Sequence, residues 1–106
     1  ELPLAASWLA ESQPKLRGII CVGCLIKGET PHFEYISETV SQSIGSLNLK
    51  YKIPVIFGVL TVLNKEQAIA RIDGTHGNKG QEDAMALLSM IKLQHQIVKP
   101  GIKLGF

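Results

Sequence analysis

Leu16-Arg17-Gly18-Ile19-Ile20-Cys21-Val22-Gly23-Cys24-Leu25-Ile26, followed at once by Lys27-Gly28-Glu29-Thr30-Pro31, is the stretch on which the fold turns. The apolar run reads as a buried strand. The glycine-bearing turn behind it ends in Thr30, which can cap a helix, and Pro31, which can take the first helical position. Phe33, Ile36, Val40, Ile44 and Leu47 then step by 3, 4, 4 and 3, a single helical stripe that faces a sheet, while Glu34, Ser37, Glu38 and Ser41 lie elsewhere. Ile53-Pro54-Val55-Ile56-Phe57-Gly58-Val59-Leu60 is a second near-continuous apolar run, expected of a strand covered on both faces.

Working outward, Leu2, Leu4, Ala5, Trp8 and Leu9 recur at helical spacing, with Pro3 in a first turn and Gln13-Pro14 closing the segment. Downstream, Asn64-Lys65-Glu66-Gln67 resembles a capping box opening a helix that runs to Arg71 or Ile72. Gly74 to Gly80 reads as a loop, Ala84, Leu87, Leu88 and Ile91 mark a last helix, and residues 94–106 read as an irregular tail. The expected order is αβαβαα. Strands alternating with helices imply an α/β fold, a parallel sheet with right-handed crossovers covered by helices on both faces (an α/β/α sandwich). Two strands are fewer than the usual four to six or so. The sheet is therefore expected to be completed by strands missing from this chain, or the chain leans on neighbouring subunits.

With 106 residues the chain has room for one domain, 1–106. It is 45% hydrophobic and 19% charged, with a mean hydropathy of +0.17, more apolar than a lone soluble domain needs. Its 11 Lys/Arg and 9 Asp/Glu are scattered, a net charge of +2 that argues against nucleic acid as a partner. No apolar stretch approaches the roughly 20 residues of a bilayer span, so no membrane partner is expected. The chain opens on Glu1 without a basic leader, so no signal or transit peptide can be read, and something upstream is expected to have been lost or removed.

Cys21 and Cys24 have CxxC spacing, but in a strand that separation sends the side chains to opposite faces with Cα atoms roughly 10 Å apart, beyond the roughly 7 Å limit of a disulfide. They read as two small buried hydrophobes in a reducing compartment. His32, His76 and His95 do not stand at metal-ligand spacings, so no metal is expected.

Backbone N–H groups from about Glu29 to Phe33 open a helix at its positive end, where an anion can sit. His32 is the histidine at that place, and an imidazole beside a bound phosphate can exchange protons near neutral pH. Arg71 and Lys79 are the basic residues best placed to hold phosphate. Phe57 could contact a flat heterocycle. Each also has a plainer reading: a well-made connection, a capping or solvent-facing histidine, solvated surface charges, an ordinary core phenylalanine. No G-x-G-x-x-G or G-x-x-x-x-G-K-[ST] pattern is present to indicate a dinucleotide or nucleoside triphosphate.

Gly23 to Ile36, with its Gly28-Glu29-Thr30-Pro31-His32-Phe33-Glu34-Tyr35 core, then Pro54 to Thr61, Glu66 to Arg71, and Gly77-Asn78-Lys79-Gly80 together resemble the 6,7-dimethyl-8-ribityllumazine synthase family, in order and spacing, from about Glu1 to Leu93. The resemblance implies condensation of 5-amino-6-(D-ribitylamino)uracil with 3,4-dihydroxy-2-butanone 4-phosphate, a step of riboflavin biosynthesis that uses neither metal nor organic cofactor. By position in the motifs, His32 would transfer protons, Glu29 and Thr30 would cradle the phosphate, and Arg71 would pair with it. Cys24, Leu25 and Ile26 would line the pyrimidine pocket, which Phe57 approaches. Glu1 would match a substrate-binding glutamate, and Lys79 a basic loop position.

The family's site lies between adjacent subunits of a homo-pentamer, which can assemble further into shells. The resemblance also implies a cytoplasmic enzyme, or a plastid one if a transit peptide preceded residue 1. Members begin well upstream of Glu1, and Ile72-Asp73 stands where Ala-Gly often follows the arginine, so that Asp73 would compete with phosphate for Arg71. The other readings are a catalytically incompetent remnant or structural assembly subunit of the same fold, and a general phosphometabolite-binding module.

Overall fold

The computed structural model describes residues 1–98, and these form α1 (Leu2–Ser12), β1 (Ile19–Ile26), α2 (His32–Tyr51), β2 (Val55–Val62), α3 (Lys65–Ala70) and α4 (Lys79–Ile97). The element order is the expected one. Among the described residues the sheet has two strands, β1 and β2, parallel and in register from Ile19 opposite Val55 to Ile26 opposite Val62.

Alternation divides the sheet into two faces. Cys21 and Val59, with Ile19, Leu25, Val55 and Phe57, point toward α1 and α2 and pack with Ala6, Ile44 and Leu47 into the core. Ile20, Val22, Cys24, Gly58 and Leu60 point toward α3 and α4. The sheet is thus covered on both faces, but unevenly. Val22 remains 71% exposed and Cys24 is exposed, because α3 and α4 lie mainly over β2. The reading of both cysteines as buried is corrected for Cys24. Cys21 is buried, and burial pushes its thiol above the ordinary range, so it stays protonated and inert.

Local chemistry explains the joints. Asn48 donates from Nδ2 to the carbonyls of Ile44 and Val55 (3.0 and 3.1 Å) and accepts from the Val55 amide (2.7 Å), tying the end of α2 to the start of β2. Tyr51 donates to Glu11 Oε1 (2.6 Å) and lies 2.7 Å from Ser7 Oγ, linking α1 to α2.

Other details depart from expectation. In α1 the apolar residues Leu4, Trp8 and Leu9 lie exposed, because the helix turns Ala6 to the core. Thr30 makes no capping bond; Pro31 is the N-cap of α2 and His32 its first residue. Gln67 bonds the Leu63 amide (2.8 Å), one residue before the Asn64 cap. Asn78 caps α4 by accepting from the Gln81 amide (3.0 Å), so Lys79 and Gly80 belong to the helix, not the loop. The helix also continues through residues 94–97, placed above in an irregular tail. Residues 99–106 of that tail lie outside the described residues.

Candidate active site

At the carboxyl end of β1 the ladder closes with the Lys27 amide donating to the Val62 carbonyl (2.9 Å), and the chain turns into α2. The first closing bond of that helix runs from the Tyr35 amide to the Pro31 carbonyl (3.3 Å), with no side chain capping the amides ahead of it. Lys27 Nζ lies 3.0 Å from Glu34 Oε1 across the turn; this contact holds the Glu34 carboxyl below its usual range. Leu25, Ile26, Gly28, Thr30, His32 and Phe33 line one cleft of about 160 Å³ here. Glu29 is exposed beside it and does not line it.

The second half of the site begins at β2. After Val62 the chain enters α3, capped by Asn64, whose side chain accepts from the Gln67 amide (2.8 Å). Arg71 follows, its Nη1 donating to the Gln67 carbonyl (2.9 Å), an anchor that fixes the guanidinium stem. The glycine loop then folds back on itself. The His76 amide donates to the Ala70 carbonyl (2.9 Å), the Lys79 amide to the Arg71 carbonyl (2.8 Å), and the Gly74 amide to the Gly77 carbonyl (3.1 Å). Gly74 and Gly77 make the reversal with φ of 92° and 95°, where a side chain would be strained.

This fold-back brings Arg71, His76, Lys79 and Glu82 to a polar cleft of about 290 Å³. Arg71 and His76 also border a second one of about 500 Å³, beside Asn64 and Glu66. Asp73 does not compete for Arg71. Its carboxylate accepts from the Thr75 amide (2.8 Å), a bond that holds it below its ordinary range, and it forms no ion pair among the described residues.

Between the halves, on the α3/α4 face, lies a mostly apolar cleft of about 620 Å³. Val22, Cys24, Gly58, Leu60, Lys79 and Asp83 are among its walls. Cys24 therefore opens onto a different cleft from Leu25 and Ile26. Phe57 is half-buried against the core on the opposite face, opposite Cys21 in the register. Glu1 is exposed at the start of α1, its carbonyl accepting from the Ala5 amide (2.9 Å), and lines none of these clefts.

Within one chain, then, Thr30, His32, Leu25 and Ile26 come together, Arg71 and Lys79 come together, and the two groups line separate clefts. Glu82 and Asp83 were not singled out from the sequence, and His76 was weighed there as a metal ligand rather than as part of this site. The i, i+4 spacing of Lys79 and Asp83 was the available signal for that aspartate.

Residues 1–95 match the sequence family described as 6,7-dimethyl-8-ribityllumazine synthase. A protein of that name from Cytophaga hutchinsonii is 53% identical over 91 residues, covering 86% of this chain and 57% of that protein. Its namesakes from Coxiella burnetii (strain Dugway) and Syntrophus aciditrophicus are each 47% identical over 97 residues, covering 92% of this chain and 64% and 62% of theirs. The chain thus spans about three-fifths of the length of the curated relatives it matches.

Proposed function

The chain belongs to the 6,7-dimethyl-8-ribityllumazine synthase family, and on that premise we propose that it is a subunit of an enzyme that condenses 5-amino-6-(D-ribitylamino)uracil with 3,4-dihydroxy-2-butanone 4-phosphate to 6,7-dimethyl-8-ribityllumazine. The observation that carries this reading is the meeting of Thr30 and His32 with Leu25 and Ile26 in one cleft where β1 hands over to the uncapped first turn of α2. That geometry offers backbone donors for an anion and an imidazole beside them.

The chemistry asks for little more. The uracil's amine adds to the ketone and water leaves, giving an imine. A proton is then taken from the carbon next to the imine as phosphate departs from its neighbour. The enol left behind takes a proton on its terminal carbon to become a methyl ketone, and the remaining amine adds to that carbonyl and closes the ring with loss of a second water. In our reading His32 carries the proton and the amides around Glu29 and Thr30 hold the phosphate. Arg71 balances its charge as it leaves, with Lys79 nearby. Cys24, Leu25, Ile26 and Phe57 would border the heterocycle and Glu1 would bind substrate, with no metal or organic cofactor taking part.

Because His32 and Arg71 line different clefts of one chain, the reading has the site completed between copies, one contributing the His32 turn and its neighbour Phe57 and Arg71. A homo-pentamer, or a shell of pentamers, is the assembly this favours. The exposed Leu4, Trp8, Val22 and Ile26 supply apolar surface for burial. A cytoplasmic location goes with this reading, or a plastid one had a transit peptide preceded residue 1.

Incubating the chain with both substrates and following lumazine fluorescence tests it. Product should form, and His32→Ala should slow turnover by about 10²–10⁴-fold, the usual worth of a general acid–base group. An assembled protein that yields no product would instead favour the structural subunit.

A further inference from the structure

Asp83 is the charged side chain buried in this molecule, 5% exposed among the described residues. One of its oxygens lies 2.8 Å from Lys79 Nζ, one helical turn earlier. The other rests against β2 at Gly58, where an added Cβ would stand 2.6 Å from it and 2.8 Å from the Cys21 carbonyl. Gly58 therefore makes the room that the carboxylate occupies, and the carboxylate holds the ammonium.

Helix stability does not account for this arrangement. Lys79 is the first residue of α4, where the helix dipole disfavours a cation. The pair also runs from lysine to acid, the weaker of the two orientations. Taking a carboxylate out of water is costly even when it is paired. What the arrangement does achieve is placement. Lys79 borders both the apolar cleft and the polar cleft that holds Arg71 and His76. An unrestrained lysine there would sample many rotamers; one held by Asp83 keeps its remaining N–H donors at the wall common to the two clefts.

We propose that Asp83 is a positioning residue, fixing the Lys79 ammonium so that it meets an oxygen of a phosphate held with Arg71. The identity of that phosphate rests on the function proposed above; the positioning does not.

Two measurements separate these parts, with inorganic orthophosphate as the probe. Reductive methylation read by mass spectrometry should modify Lys79 several-fold more slowly than the more exposed Lys27, and Asp83→Asn, which keeps the shape of the side chain, should abolish that protection. Equal rates at Lys79 with and without Asp83 would overturn the positioning, and the wild-type comparison stands even if the variant folds poorly. In orthophosphate titrations, Asp83→Asn should weaken binding by about two- to tenfold, the cost of ordering one long side chain. It should have no such effect in a Lys79→Met background. Simple charge deletion predicts the reverse, since losing a nearby carboxylate tightens an anion, and tightening in both backgrounds would overturn the proposal. Protection of Lys79 without any orthophosphate binding would overturn the phosphate assignment while the Asp83–Lys79 link held.

Discussion

Arg71 shows how little of a side chain's duty is visible from its neighbours in sequence. Asp73 stands two residues away and reads as a rival for the guanidinium, yet its carboxylate is engaged with the Thr75 amide, because a short acidic side chain in a turn finds its own backbone first. With the guanidinium tethered, among the described residues, at Gln67 alone, the reaction proposed above leads us to expect that Arg71→Ala raises the Michaelis constant for its phosphate-bearing substrate far more than it lowers turnover, as steady-state kinetics with each substrate varied would show. Asp73 carries a pH signature. Its carboxyl is held down in the folded chain, so the support it gives the loop is complete above the ordinary value of about 3.9 and disappears as pH falls through the lower folded value. An acid titration of the Thr75 amide resonance should place that midpoint below the ordinary one. The two cysteines illustrate legibility at this scale. Alternation gave their opposite directions correctly, but which direction is covered depends on helices that a strand's own sequence does not describe.

The elements were legible wherever a period met a boundary signal. The α2 stripe is such a case: Ile44 and Leu47 are buried in the core and Val40 packs beside them. The misplaced boundaries share a cause. Gly74 to Gly80 looks like continuous loop, whereas the Asn78 side chain starts a helix inside it, and a capping bond outweighs the weak helix propensity of Gly80. Removing that bond with Asn78→Ala should cost about 1 kcal/mol in urea unfolding. Asn48→Ala should cost more, about 1–3 kcal/mol, because it strands both the amide and the carbonyl of Val55 at the mouth of β2. The burial of Asp83 was not legible, since a Lys–Asp pair one turn apart ordinarily reads as solvated surface. Only the contact with Gly58 on a distant strand distinguishes it.

For the whole molecule, the fold class followed from two apolar runs joined by a helix, but the candidate site did not. Its residues come from turns on both sides of the sheet, and which of them share a cleft is decided by helix packing. The exposed apolar side chains of α1 and β1 lead to one measurable expectation. Trp8, the single tryptophan, is 63% exposed in the chain, so self-association that covers α1 should shift its emission to shorter wavelength as concentration rises, in step with the mass seen by sedimentation.

The parallel pairing of β1 with β2 bears also on how this chain reaches its native state. Every rung between β1 and β2 joins residues separated by the whole of α2, so this pairing waits until that helix and the following strand have left the ribosome. Such non-local closure is slow, and a nascent chain halted before Val62 would leave Cys21, which the finished fold buries, open to chaperones.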